Sequence, residues 1–540
     1  MHRCLQVAEV SLEIVSQVGE ADEKTLAILA RSCRAFSEPA LDVLWRHGTP
    51  VTIVHLLRCL PAEALVWHGN DLRLAGPLLR ADMERLQRYA NRIRHYVHGP
   101  WSMSPRYRSS VSLIAMFLPR EVLCSRLQSL TWYSDDDGTG GAAFRLFLSP
   151  RLNNLFLFAP SHVSTTLFPL IQRHNLPLAT VRINGENDET ASCTALAEFV
   201  RSLDRVKNLS IPTLDGDLLV YLSTHERVTS ITTWSLLPDF SVATLDKHNA
   251  FAHLTSFQAT QADIVALLRL VQALSIAELS SVCFSATDSA TTAQVATFLQ
   301  EVSRHWNTTL TSFSFSEYGE SAWVLHRDSF LCLGLFPLLT KLELTLPSIS
   351  AAQFGDDTLE ILTFKCRWLQ HFALNQYAAE TNFTLGCLTS FARNCPVLAF
   401  LEITVDGTAV PDLPAEFGSE LDGRRAHWQW FLLEFAFGCS KITDPFAVAA
   451  FLTGLFPRLT GVFKTWEDGG DEEYDIGDQE KQWREVRALI PRLKKIREQE
   501  RGWTRAEAQE IERQLLDEER MDVYELEEGV RGIWVKGKEQ

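Results

Sequence analysis

The sequence has no long apolar run. No stretch approaches the roughly 18 apolar residues that a membrane-spanning helix requires. The first residues interleave Glu9, Glu13 and Glu20 with apolar side chains, which argues against the apolar core of a signal peptide. We therefore expect an intracellular protein, cytoplasmic or nuclear or both, without a membrane partner.

Cysteine pairs with metal-ligand spacing are also absent. The 11 cysteines are odd in number and include no Cys-x-x-Cys pair. This distribution predicts buried free thiols in a reducing compartment. The 15 histidines have no ligand spacing either, so we expect neither a metal nor a cofactor.

Motifs of the common enzyme classes are missing as well. The chain contains no Gly-x-Gly-x-x-Gly, no Gly-x-x-x-x-Gly-Lys-Ser/Thr, no His-Glu-x-x-His and no Gly-x-Ser-x-Gly. A protein that is not an enzyme is the expectation. Its net charge of −16 would repel phosphate backbones, so nucleic acid is not an expected partner. Residues 1–126 differ from the rest, with 16 basic and 12 acidic side chains.

What the sequence does contain is a recurring phrase, Leu-x-x-apolar-x-apolar. Its mean spacing is about 28 residues, within the range of leucine-rich repeats. The phrase starts at Leu127, Leu152, Leu178, Val206, Val228, Leu254, Leu279, Leu310, Leu339, Leu369, Leu398, Leu432 and Leu459. A rival phrase begins at Leu359.

The phrase has the pattern of a strand with one buried face. Its first, fourth and sixth residues can point into a shared core while the second, third, fifth and seventh face outward. All thirteen fourth positions are apolar, whereas Thr233, Ala259 and Lys464 are misfits at the sixth. Helical spacing between phrases, as in Leu196, Phe199 and Val200, alternates with these strands. The fold class predicted for 127–466 is therefore α/β, a leucine-rich-repeat solenoid with parallel strands on its concave face.

The concave face is where a protein substrate should bind. Most side chains at the fifth and seventh positions of the phrase are small and polar. The aromatic and charged exceptions are the candidate substrate contacts, because exposed aromatic residues beside an arginine are typical of binding hot spots. These candidates are Tyr133, Phe156, Phe158, Arg182, Trp234, Glu343 and Glu402. Packing of Phe156 and Phe158 under a flanking segment is the alternative.

Two helical segments precede the repeats. In the first, Val7, Val10, Ile14 and Val18 recur at helical spacing before Gly19 ends the helix. A second segment places Leu26, Leu29, Ala30 and Cys33 on one face and closes on Leu44 and Trp45.

Residues 5–61 resemble an F-box. Val7-Ala8-Glu9 match its apolar-Pro-Glu opening, Ile14-Val15 its Ile-Phe pair, Ser32 to Phe36 its Val-Cys-Arg-x-Trp phrase, and Leu44-Trp45 its closing Leu-Trp. An F-box ahead of leucine-rich repeats is similar to a large fungal family of substrate receptors of SCF ubiquitin ligases. The resemblance implies contacts with the adaptor Skp1 by Val7, Glu9, Val10, Ile14, Val15, Leu26, Leu29, Cys33, Arg34, Phe36, Leu44 and Trp45.

That resemblance implies a non-catalytic function. The helical module at 1–60 would dock on a Skp1-like adaptor and through it on a cullin, while the repeats hold an unknown protein substrate near the ligase. Two alternatives stay open: a repeat scaffold without a link to ubiquitination, and an N-terminal segment that only caps the solenoid.

The remaining segments flank the repeats. Residues 61–126 are predicted to be a helical linker, with Leu79, Met83 and Leu86 on one face. Residues 467–540 are predicted to form an acidic loop followed by capping helices, with Trp483 and Val486 at helical spacing.

Overall fold

We describe a computed structural model of the chain. The described residues are 8–32, 34–61, 63, 65–68, 71–74, 79–99, 111, 114–115, 118, 122–133, 143–185, 190–237, 250–287, 290–317, 323–346, 354–376, 381–414, 431–438, 440–463 and 478–501.

The chain divides into two compact units. The first comprises Met1–Ala262 and Gln272–Leu279, and the second comprises Asp263–Val271 and Ser280–Gln540. Each unit contains parallel strands that follow one another in chain order, with helices or short irregular crossovers between them.

The first unit opens with helices and then builds a parallel sheet. Its helices are α1 (Ala8–Ala21), α2 (Glu23–Ser32), α3 (Arg34–Leu44), α4 (Pro50–Leu57), α5 (Arg80–Ala90), α6 (Ser161–His174), α7 (Thr190–Arg201) and α8 (Gly216–Ser223). Its strands are β1 (His47–Gly48), the antiparallel pair β2 (Leu65–His68) and β3 (Asp71–Leu74), then β4 (His95–His98), β5 (Ser129–Tyr133), β6 (Asn154–Phe158), β7 (Thr180–Asn184), β8 (Asn208–Leu214), β9 (Ser230–Leu236) and β10 (Ser256–Ala262).

The second unit continues the alternation. After α9 (Ile264–Ala273), its helices are α10 (Thr292–Trp306), α11 (Arg327–Leu331), α12 (Asp356–Lys365), α13 (Cys387–Asn394), α14 (Pro445–Leu455) and α15 (Asp478–Arg501). Its strands are β11 (Ser281–Ala286), β12 (Ser312–Glu317), β13 (Lys341–Leu346), β14 (His371–Gln376), β15 (Phe400–Ile403), β16 (Asp406–Gly407), β17 (Glu434–Ala436), β18 (Lys441–Ile442) and β19 (Gly461–Phe463).

The pairing of the strands follows the recurring phrase. In the first unit the fourth positions pair in the order Leu130, Leu155, Val181, Leu209, Ile231 and Phe257. In the second unit Val282, Phe313, Leu342, Phe372, Leu401, Phe435 and Val462 pair in the same way. All thirteen first and all thirteen fourth residues are buried. The α/β leucine-rich-repeat prediction is confirmed in this register.

The sheet of the first unit begins before the first predicted phrase. Tyr96 of β4 pairs with Leu130 of β5, and His47 of β1 pairs with His95 of β4, so two further parallel strands precede β5. The segment predicted as a helical linker thus contributes the helix α5 and also a strand of the sheet. The rival phrase at Leu359 lies on helix α12, where Leu359 is buried in the core.

The first three helices form a module with its own small core. Val15, Leu26 and Ala40, one from each helix, are buried together, and other apolar side chains pack around them. Asp22 starts α2, because its carboxylate accepts hydrogen bonds from Lys24 N at 2.9 Å and Thr25 Oγ1 at 2.7 Å. These hydrogen bonds lower the pKa of Asp22.

The last described helix packs beside the final strands of the second unit. Trp483 of α15 stacks on Phe437 at 4.3 Å, and its Nε1 donates to Ser440 O at 2.9 Å. Arg487 donates to the backbone oxygen of Val462 on β19 at 2.5 Å. The helix runs through Pro491.

Candidate functional site

The helical module of α1–α3 presents apolar side chains to solvent. Val10 is 38% exposed, Ile14 39% and Leu12 42% on α1, and Ile28 is 66% exposed on α2. Val10 and Ile14, four residues apart, share one face of α1. A module whose core holds three fully buried residues therefore leaves four apolar side chains open to contact with a partner.

Val15 and Leu26, predicted to contact the adaptor, are buried instead. Val15 is 0% exposed and Leu26 1% exposed in the module core. Both the Val10–Ile14 face and the Val15 face fit a helical repeat, and packing against α3 decides which one turns inward. Leu29, Phe36 and Leu44 are partly buried and also pack against this core, so they contribute to the stability of the module.

The other predicted adaptor contacts have mixed placements. Arg34 is exposed at the start of α3. The ring of Trp45 lies 5.3 Å from the ring of Tyr89 on α5, so its contact is within the first unit. Val7, Cys33 and the side chain of Glu9 lie outside the described residues.

Arg92 joins the module to the sheet. It lies in the turn between α5 and β4, and its side chain is 9% exposed. Its guanidinium binds the carboxylates of Glu38 and Asp42 on α3 and donates to Glu38 O at 3.3 Å. This contact, together with that of Trp45 and Tyr89, fixes α3 against the start of the repeat array.

Four of the predicted substrate contacts lie together on the outward face of β5, β6 and β7. The rings of Tyr133 and Phe158 stack at 4.3 Å with 10° between their planes. The guanidinium carbon of Arg182 lies 5.9 Å from the centre of the Phe158 ring, a cation–π contact. Phe156 pairs with Arg182 across the ladder and is half-buried. These residues form an outward aromatic cluster: Tyr133, Phe156, Phe158 and Arg182.

Trp234 is exposed but separate from that cluster. It lies on β9, two strands beyond β7, and is 41% exposed. Its backbone oxygen accepts a hydrogen bond from Thr260 Oγ1 at 3.4 Å.

The two predicted glutamates belong to the second unit and differ in exposure. Glu343 binds Lys341 at 2.9 Å and His371 at 2.8 Å, and the hydrogen bond with His371 is the largest cause that lowers the pKa of Glu343 to about 2. Glu402 was expected to face outward, but it is 4% exposed and buried. In its strand β15, Leu401, Glu402 and Ile403 are all buried, so the alternation of inward and outward side chains fails there.

The described cysteines are free thiols. All eight described cysteines are free, and four of them are buried. Burial raises the pKa of Cys366 to about 12 and also raises the pKa of Cys124, which disfavours the nucleophilic thiolate. Among the described residues, no helix is long and apolar enough to cross a membrane.

Comparison with known proteins gives one structural likeness to report. No protein family matches the sequence, and no curated protein is significantly similar to it. Among solved structures, the chain is similar to one in the crystal structure of the Rad7 and Elc1 complex in yeast. The match has a TM-score of 0.30 and 13% sequence identity, covering 85% of this chain and 88% of that chain.

Proposed function

We propose that the protein is a non-catalytic substrate receptor of an SCF-type ubiquitin ligase. The α1–α3 module docks on a Skp1-like adaptor, which links it to a cullin, and the repeat array binds a protein substrate. The observation that carries the proposal is the exposed apolar set Val10, Leu12, Ile14 and Ile28 on a module held against the array by Arg92. An amphipathic helix with free apolar side chains is suited to an apolar groove on a partner.

The adaptor-binding and substrate-binding roles are assigned to two different surfaces. The docking residues lie on the N-terminal helices, whereas the outward aromatic cluster lies on strands of the repeat array. A receptor of this kind accelerates modification by raising the effective concentration of its bound substrate near the conjugating enzyme. It therefore requires no catalytic residue of its own.

A scaffold without a link to ubiquitination is the second candidate. The observation in its favour is the burial of Val15 and Leu26 and the inward packing of Phe36, which reduce the number of F-box-like positions free for an adaptor. Such a scaffold would use the same outward aromatic cluster for its partners.

A pull-down on immobilised Skp1 separates the two candidates. The full chain should be retained on the immobilised Skp1. A chain that begins at Trp45, without α1–α3, should not be retained. Circular dichroism of the shortened chain checks that the array keeps its helices. Equal retention of both chains, or failure of the full chain to bind where an authentic F-box binds, would favour the scaffold.

A further inference from the structure

Arginines gather at one corner of the sheet in the first unit. Arg46 and Arg94 precede β1 and β4 at corresponding positions, since Arg94 N donates to Arg46 O at 2.9 Å and Gln128 N donates to Arg94 O at 2.7 Å. Arg126 and Arg151 lie one residue before the next two phrases, and both are exposed. We call Arg46, Arg94, Arg126 and Arg151 the arginine corner.

The charges of this corner act on one another. Burial is the largest cause that lowers the pKa of Arg94, and the positive charges of Arg126, Arg151 and Arg46 lower it further. Asp42 acts in the opposite sense, but its carboxylate is already bound by Arg92. Repulsion among these like charges favours a bound anion, which would reduce it.

Two histidines lie next to Arg46 and Arg94 on the same strands. The rings of His47 and His95 stack at 4.9 Å on paired residues of β1 and β4. Within the described ranges, the salt bridges do not involve Arg46, Arg126 or Arg151. These side chains are therefore available to a ligand.

Corresponding positions farther along the array are different. Arg205 and Arg227 also lie one residue before a phrase and are exposed, but each follows an acidic neighbour, Asp204 or Glu226. Arg126 and Arg151 follow Ser125 and Pro150 instead. In a chain with a net charge of −16, this corner is a local reversal of sign.

An apolar surface lies within reach of the arginine corner on the same strands. Val97, 45% exposed on β4, and Phe156 occupy the fifth position of their phrases, with Thr131 between them. Arg94 is at the second position of its phrase, three residues before Val97, and Arg126 and Arg151 lie five residues before Thr131 and Phe156. At the rise of a β-strand these separations are about 10–17 Å, or about three to five residues of an extended peptide.

We propose that the outward face of β4–β7 binds an acidic segment of a partner protein. Its carboxylates contact the arginine corner, and an apolar or aromatic side chain about three to five residues away packs on Phe156 and Val97. The acidic segment would belong to the substrate of the proposed receptor, and only this assignment rests on the proposed function. A long polyanion is disfavoured because the net charge of the chain is −16.

Binding of a synthetic peptide to the purified full chain tests this inference. The probe is a fluorescein-labelled run of glutamates with one central phenylalanine, and its control has every glutamate replaced by glutamine. Fluorescence anisotropy should show binding of the glutamate peptide that weakens as salt is raised, because salt screens charges at the surface. The glutamine peptide should bind at least about tenfold more weakly.

A matched pair of charge reversals locates the binding. The double variant Arg126→Glu with Arg151→Glu should weaken binding of the glutamate peptide by at least about tenfold. The double variant Arg205→Glu with Arg227→Glu changes the net charge equally and should alter the affinity by less than about twofold. Equal weakening by the two doubles would show a dependence on net charge alone and overturn the inference.

A second pair of variants tests the apolar anchor. Phe156→Ser should weaken binding of the peptide with a central phenylalanine but not binding of a peptide with a central serine. Trp234→Ser should change the binding of neither peptide. Equal binding of the glutamate and glutamine peptides, or tighter binding of a single-stranded oligonucleotide of the same charge, would overturn the proposal.

Skp1 binding, measured in parallel, keeps the two proposals distinguishable. If the wild-type chain binds Skp1 but does not bind the glutamate peptide, this inference alone is refuted. Failure of the wild-type chain to bind Skp1, with the peptide results as expected, would refute the ligase function alone.

Discussion

The guanidinium of Arg92 binds the carboxylate of Asp42 across a separation of 50 residues in the sequence. Arg92 belongs to the turn before β4 and Asp42 to the last helix of the module, so the ion pair connects the two parts of the first unit. Asp42 keeps a side-chain exposure of 51% while Arg92 is at 9%. The arginine is thus the buried partner, and its loss should loosen α3 from the sheet.

We expect Arg92→Ala to lower the free energy of unfolding by about 1–2 kcal/mol, since hydrogen bonds to charged groups are lost while the carboxylates can be rehydrated. Arg88→Ala, an exposed arginine on α5, should change it by less than about 0.5 kcal/mol. Chemical denaturation followed by circular dichroism measures both values. Similar values for the two variants would contradict a structural role for Arg92.

Trp483 should be a main contributor to the stability of the second unit. It is 1% exposed, stacks on Phe437 and donates a hydrogen bond to Ser440 O. Trp483→Ala should therefore cost about 3–5 kcal/mol, as expected for a large buried side chain. Ile496→Ala, on the same helix at 49% exposure, should cost less than about 1 kcal/mol. Urea denaturation tests the contrast, and equal costs would show that α15 does not pack as described.

The buried side chain of His98 should make the first unit sensitive to acid. Burial lowers the pKa of His98 from 6.5 to about 4, and its ring stacks on Trp132 at 3.9 Å. Because the folded-state pKa is below the unfolded one, the contribution of neutral His98 is fully present above pH 6.5, declines as the pH falls below 6.5, and is lost once the pH has fallen through about 4.

The free energy of unfolding should therefore drop by about 2 kcal/mol between pH 7 and pH 5 on account of this group. His98→Phe should show a correspondingly smaller drop over the same interval. His305→Phe offers a control on the half-buried α10 surface. A wild-type profile that His98→Phe leaves unchanged would contradict the proposed titration of His98.

The repeat register could be predicted because thirteen buried strands share one apolar pattern. Even the misfit Thr233 agrees with it, since this buried threonine donates through Oγ1 to Ser235 O at 3.0 Å and so satisfies its hydroxyl inside the core. Strand β4 escaped prediction for a physical reason. Its phrase would read Ile93, Tyr96 and His98, and a histidine at the inward sixth position breaks the apolar pattern, although the ring is buried and stacks on Trp132.

The candidate sites were less predictable than the fold. Helical spacing gave α1 and α2 but could not distinguish the Val10–Ile14 face from Val15, because tertiary contact with α3 sets the rotation of the helix. Ile28 was missed although it is 66% exposed, since the sequence alone offers no signal for which apolar residue remains outside. The arginine corner depends on lateral alignment of strands β1 and β4, which the pattern did not predict.

Calorimetric titration of Skp1 into the purified full chain tests the proposed receptor function most directly. The wild-type chain should bind, and the double variant Ile14→Glu with Ile28→Glu should bind at least about tenfold more weakly, because charge at these apolar sites prevents burial against the adaptor. The control Ile496→Glu, an exposed isoleucine on α15, should bind like the wild type. Undetectable binding of the wild-type chain, or equal affinity of the wild type and the double variant, would contradict docking through the α1–α3 module.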